Sequence, residues 1–223
     1  MVETDVAMTT VRIASTSGSV QVVAEVRTDI DVPDSVEFSV HDSMTTVSSG
    51  SRRVRIRVPE GTDLVIGSAS GRVEVIGRAG SVAVVTRSGR VSVDTARSVD
   101  IRTTSGRVTV DSAAESCRVL TKSARVDIGR CGSAHLTASS GKITVAAASG
   151  PVHAHCVSGR IDVATTSAQD VDAETVSGRI TVRMPPDVRP WIVRRNDTEP
   201  APERCDCVVT ARSVSGRIDV FTA

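Results

Sequence analysis

The chain has 223 residues, a formal net charge of +1 and no tyrosine, with only two phenylalanines and one tryptophan. So few aromatic residues exclude a rounded globule packed on large rings, and the balanced charge excludes a protein-wide field that would draw in a polyanion. No run of about 18 apolar residues is present to form a membrane-spanning helix. The five cysteines, at irregular spacing, read as reduced thiols rather than a disulfide framework. The stretch MVETDVAMTT has neither a basic start nor an apolar segment, so no secretory signal and a cytoplasmic location are expected. Val and Thr favour strands and Leu is scarce, so the core is expected to be thin, elongated and built from β-structure.

Residues 1–63 hold one repeat-like stretch, TVRIASTSGSVQV, in which Val11, Ile13 and Ser15 precede Gly18 and Val20 and Val22 follow it. The segment after it breaks the period but still alternates, in VEFSV and RVRIRV. It is expected to form antiparallel strands, a β cap continuous with the regular region, because an open sheet edge invites aggregation.

From residue 64 the chain repeats one hexapeptide: SGRVEV, SGRVSV, SGRVTV, SARVDI, SGKITV, SGRIDV, SGRITV and, last, SGRIDV. The glycines are Gly71, Gly89, Gly106, Gly141, Gly159, Gly178 and Gly216, with Ala124 in the remaining place, and the steps are 17 to 19 residues until a final step of 38. Seven, five and three residues before each glycine stand small or β-branched residues, as in Val82, Val84 and Thr86. The alternation resumes afterwards, as in Val91 and Val93. Such alternation marks a strand with one buried face. Each period therefore holds two short strands around a Ser-Gly corner. The prediction is an all-β, single-stranded parallel β-solenoid (β-helix) with about 18 residues per coil, spanning 64–223. At roughly 4.8 Å per coil the rod would be about 40 Å long. Tight packing of the corner is the preferred reason for its glycine, since Ala124 substitutes once. The preceding serines are expected to stack, either as a hydrogen-bonded ladder or simply as good corner residues.

Residues 183–207 break the rhythm with Pro185, Pro186, Pro190, Pro200 and Pro202, which forbid a continuous strand. This is the predicted insertion loop. The double step places a degenerate coil within it, with Pro190, Ile192 and Arg194 in the inward positions. Trp191 is a candidate partner anchor or a local plug over the core.

The tandem SGxVxV units, the run VPEGTDLVIGSASG and the C-terminal TARSVSGRIDV resemble the bacterial putative-adhesin β-strand-repeat family, from Thr10 to Thr222. The resemblance implies a β-solenoid and an adhesin-like role, and it supplies no catalytic residue.

Two surface constellations are candidates for binding. The residue after each corner is basic: Arg72, Arg90, Arg107, Arg125, Lys142, Arg160, Arg179 and Arg217. Stacked, they form a ladder that would suit a linear polyanion. Alternatively Glu74, Asp127, Asp162 and Asp219, two residues on, neutralise half of it by local pairing. With no interleaved aromatics, single-stranded nucleic acid is disfavoured. The second constellation is His135, His153, His155, Asp172 and Glu174, which share two columns on adjacent coils. It is either a site for zinc or another divalent ion, or a coincidental surface cluster. Cys205 and Cys207 form CDC, which is no redox or metal motif. No nucleophile–base set or nucleotide loop falls on neighbouring columns, so no enzyme activity and no cofactor are expected. The expected role is a non-catalytic binding or scaffold module for an unknown protein or extended polymer. The alternatives are a bactofilin-like filament, self-associating end to end, and a polyanion binder.

Overall fold

The computed structural model describes residues 10–33, 36–41, 44–193 and 204–222. Among them there is no helix, and the strands join into one sheet that does not close on itself. In chain order the strands are β1 (Thr10–Ser15), β2 (Val20–Glu25), β3 (Glu37–His41), β4 (Met44–Gly50) and β5 (Val54–Pro59). They are followed by β6 (Asp63–Ala148), β7 (Val152–Thr165), β8 (Val171–Met184), β9 (Pro190–Val193) and β10 (Cys207–Thr222). At 86 residues β6 cannot be one straight strand, which would extend roughly 280 Å at about 3.3 Å per residue. It winds back over itself, and its corner glycines stack: a Cβ added at Gly89 would collide with the Gly71 carbonyl oxygen, and one at Gly106 with that of Gly89.

The pairing is parallel and keeps like residues together. Ala134, Val152, Val171 and Val209 form one inward file, and Ile143, Ile161, Ile180 and Ile218 another. These pairings join residues 18 and 19 positions apart, and 38 apart at the last step. Val20, Val54 and Val73 line up in the same way. The inward files are sealed from solvent from Val11 to Val182 and form one continuous apolar core. It is made of Val, Ile, Ala and a few Leu, as the period-2 alternation requires, since successive side chains point to opposite faces.

Both chemistry and space select glycine at the corners. Gly71, Gly89, Gly106, Gly141, Gly159 and Gly178 all adopt positive φ, between 124° and 157°. The preference for close packing alone was too narrow: the close approach is present, but so is a backbone conformation that L side chains avoid. The corner serines do not form a continuous ladder either. The hydroxyls that tie the corners are those of Ser68, Thr86 and Thr103, buried three residues before glycine. They donate to the carbonyls of Ser70, Ser88 and Ser105 at 3.0–3.2 Å, bridging each corner within its own turn. Farther from the corners, Ser98 donates to Ser81 and Ser149 to the Cys131 carbonyl, across layers.

At both ends the chain departs from sequence order. β4 pairs parallel with β1, and β5 parallel with β2, on the side away from β6. Residues 44–59 thus make a further layer outside residues 10–25, not the expected antiparallel strands. Among the described residues only β3 is antiparallel, on β4, with one more antiparallel bridge between Asp31 and Arg57. The repeat in this layer is masked because Arg52 stands where the other corners have glycine: a Cβ added at Gly18 would collide with the Arg52 carbonyl oxygen. Ser51-Arg52-Arg53-Val54 takes the place of the Ser-Gly-Arg-Val corner, and the register slips by one residue between Ala14 and Ser15.

At the other end β10 pairs directly with β8 over nearly its whole length, and β9 pairs with the outer side of β10. The degenerate coil expected between residues 183 and 207 is therefore not intercalated. Pro190 stands opposite Cys207 and Ile192 opposite Val209, at the outside of the stack. Physically, β10 carries the complete motif and matches β8 at every inward position, whereas a strand beginning with proline suits an edge. Arg194, Pro200 and Pro202 lie outside the described residues.

Candidate functional site

The corner fixes the direction of the residue that follows it. With Val73 and its counterparts turned inward, the preceding Arg or Lys must point outward. Lys142, Arg160, Arg179 and Arg217 stand directly on one another in register. Arg72, Arg90, Arg107 and Arg125 continue the file over the stacked corners. All are exposed except the half-buried Lys142. Neighbouring charges are one sheet spacing apart, about 4.8 Å.

The expected self-neutralisation is mostly missing. Lys142 Nζ lies 3.2 Å from Asp162, and Arg217 Nε 2.7 Å from Asp219. Among the described residues no ion pair engages Arg72, Arg90, Arg107, Arg125, Arg160 or Arg179. Glu74 instead accepts a 2.8 Å hydrogen bond from Gln21, and the layers of Arg90, Arg107 and Arg179 present Ser92, Thr109 and Thr181 where an acid would be needed. The structure also adds a member that the sequence reading missed. Arg53 lies beside Arg72, both lining one shallow depression with Ser19 between their layers, and its Nε donates to Ser19 at 3.2 Å. Its signal was SRRVRI at 51–56, the repeated hexapeptide with Arg52 in the glycine place.

The histidine constellation assembles differently. His135 pairs with His153, their ring centroids 6.0 Å apart, and His153 Nδ1 lies 3.8 Å from Asp172. In the next column His155 Nδ1 lies 3.7 Å from Glu174, whose other oxygen accepts a 2.8 Å bond from Arg212. The groups run down two parallel files rather than around a point. Among the described residues no set of three His, Cys, Asp or Glu side chains is placed to hold a metal. Arg212 holds one oxygen of Glu174, while His135, His153 and Asp172 keep to the other file. The upper file instead borders an open depression of about 380 Å³ between Asp100, Arg118, His135 and His153.

Trp191 is half-buried opposite Val208 at the outermost strand. All five cysteines are free. Burial pushes the Cys117 thiol up to about 12 and Cys131 to about 11, and Cys156 and Cys207 are raised for the same reason. Thiols held protonated in this way are poor nucleophiles and poor metal ligands.

The Toastrack DUF4097 family model matches residues 26–220. Among solved structures the chain is similar to a putative adhesin from Bacteroides fragilis, with 15% identity, a TM-score of 0.50, and coverage of 96% of this chain and 93% of that one. It also matches a putative cell adhesion protein from Clostridium sporogenes at 9% identity and a TM-score of 0.27, covering 100% and 96% of the two chains. No curated protein matches the sequence.

Proposed function

Taking as premise that the chain belongs to the Toastrack DUF4097 family, we propose that it is a non-catalytic, adhesin-like binding scaffold that holds an extended acidic polymer along its basic edge. In this reading the molecule is a single-stranded parallel β-solenoid of about 18 residues per coil, closed at its start by an N-terminal β cap. The parallel register of β7, β8 and β10 supports it. The observation that carries the ligand class is the file of stacked cations, most of them without an ion pair. Like charges one sheet spacing apart repel, and a linear polyanion relieves that repulsion while releasing its own counterions. A rigid edge keeps the cations in line before binding, so little ordering cost falls on the protein. With no aromatic side chain in the file, an acidic polysaccharide or polyol phosphate fits better than single-stranded nucleic acid. The likeness to a putative adhesin from Bacteroides fragilis accords with such a role. The free, buried thiols support a reducing compartment as the place of folding.

Retention on immobilised heparin, followed against salt, tests the reading. The chain should bind at low ionic strength and elute as salt rises. Replacing Arg107 and Arg160 together by Glu should abolish retention and flatten the salt dependence. Unchanged retention in that double variant refutes the ladder as the binding edge.

A further inference from the structure

We propose that two copies of this chain join tail to tail, by antiparallel pairing of Ser215–Phe221 with the same segment of the second copy. The outer side of β10 is paired with β9 only over Cys207–Thr210. Among the described residues nothing pairs with the outer edge beyond that point. Ile218 and Val220 are only partly buried, although their counterparts one layer inward, Ile180 and Val182, are both at 0% exposure. Val214 and Phe221 stand in the same strand at 58% and 42% exposure.

The backbone of this edge is aimed outward. In the equivalent place Val54 donates its N–H to the Ser19 carbonyl of the adjoining layer. Strand alternation then directs the N–H and C=O of Ile218 and Val220 away from β8. The Gly216 carbonyl follows the pattern of Gly71 and Gly178, whose oxygens face the layer stacked on them. These are the groups that a narrow antiparallel pair exchanges.

The segment is complementary to itself. Centred on Ile218, antiparallel pairing puts Ile218 against Ile218, Gly216 against Val220, and Arg217 against Asp219 of the second copy. Inward residues meet inward residues, and each cation meets an anion. Arg217 and Asp219 already lie 2.7 Å apart within one chain, so pairing builds a four-membered alternating cluster. Head-to-tail joining is opposed at the other end, where β3 covers β4 and the Asp31–Arg57 bridge occupies β5. The occupant is therefore a second tail. The interface does not depend on the polymer-binding reading. If that reading holds, the dimer sets two basic files nearly end to end.

Sedimentation velocity on the full chain over a range of concentration tests the proposal. The wild type should be a reversible dimer. Arg217→Asp and Asp219→Arg should each weaken dimerisation roughly tenfold or more, because like charges then stand directly opposite. Mixed in equal amounts, the two variants should form a heterodimer, since every cross-pair is again of opposite charge. Circular dichroism should report the same strand content throughout. A wild type that stays monomeric at every attainable concentration overturns the proposal. Assembly beyond the dimer, or a mixture that stays monomeric, also overturns it.

Discussion

The two ends of the stack start from the same repeat and finish differently. At the N-terminal end the outermost layer is β4 and β5, and Val54, Ile56 and Val58 in β5 are fully buried. They are buried because the chain between β2 and β4 returns over them. Val36 is buried there, and Ile30 and Val32 pack against the core. Arg27 ties this crossing in place, reaching Asp29 at 3.1 Å and Glu25 at 3.4 Å. At the C-terminal end β9 protects only the first part of β10, and Ile218 and Val220 keep solvent contact. A stacked repeat buries its inward face only against neighbours, so identical side chains differ in worth according to what lies outside them. Among the described residues, the first end is closed by a crossing segment and the second leaves part of its last apolar file in contact with solvent.

That contrast can be broken by mutation. Ile56→Ala should destabilise by about 2–5 kcal/mol, as for a large side chain lost from a closed core. Ile218→Ala, measured where the chain is monomeric, should cost well under half as much. Urea titration of the pair decides it, and equal losses would mean the two ends are equally sealed. Next in size is Gly106→Ala in the middle of the stack. It forces an alanine to φ near +124° and into the Gly89 carbonyl, with an expected loss of roughly 2–3 kcal/mol. A smaller effect is expected at Asp170, whose Oδ1 accepts the Val208 N–H at 2.8 Å where β10 enters the sheet. Asp170→Ala should cost about 1 kcal/mol and speed amide exchange in β10 before β8, a polarity that hydrogen-exchange mass spectrometry reads directly.

Cys117 offers a probe of the centre, independent of both ends. Its thiol is raised in the folded chain to about 12 from an ordinary value of 9.0, because burial penalises the thiolate. A raised folded value means that the stability contribution is complete below the unfolded pKa and is lost as pH climbs through the folded one. Melting temperature should therefore fall between about pH 9 and 12, and the fall should be shallower in Cys117→Ala. An equal fall in both proteins would assign the alkaline sensitivity elsewhere.

The regular layers were legible because each carries its own signal. Alternating Val and Ile, a Ser-Gly corner (Ser-Ala once, at Ala124) and a following cation recur from layer to layer, and β7, β8 and β10 pair in the register which that signal implies. The layer at 44–59 was not legible because Arg52 stands in the glycine place of its corner, so the Ser-Gly signal failed there while the alternating strands persisted. The seat of β9 was not legible either, because spacing along the chain says nothing about which side of β10 a strand takes. The basic ladder was readable as a column, but its lack of ion pairs was not. Whether Glu74 reaches an arginine or Gln21 depends on side-chain geometry across layers that are distant in sequence.

The sequence by itself determined which side chains point inward, where the chain turns and which residues share a file, because period-2 alternation and the corner glycine act locally and repeat. Only the tertiary structure decided the order of layers at the two ends, the pairing of the outward charges and, among the described residues, the edge left without a paired strand. Those outcomes depend on contacts between segments whose local patterns are alike, and among like strands the choice of neighbour is made by completeness of match and by what remains to cover the last apolar face.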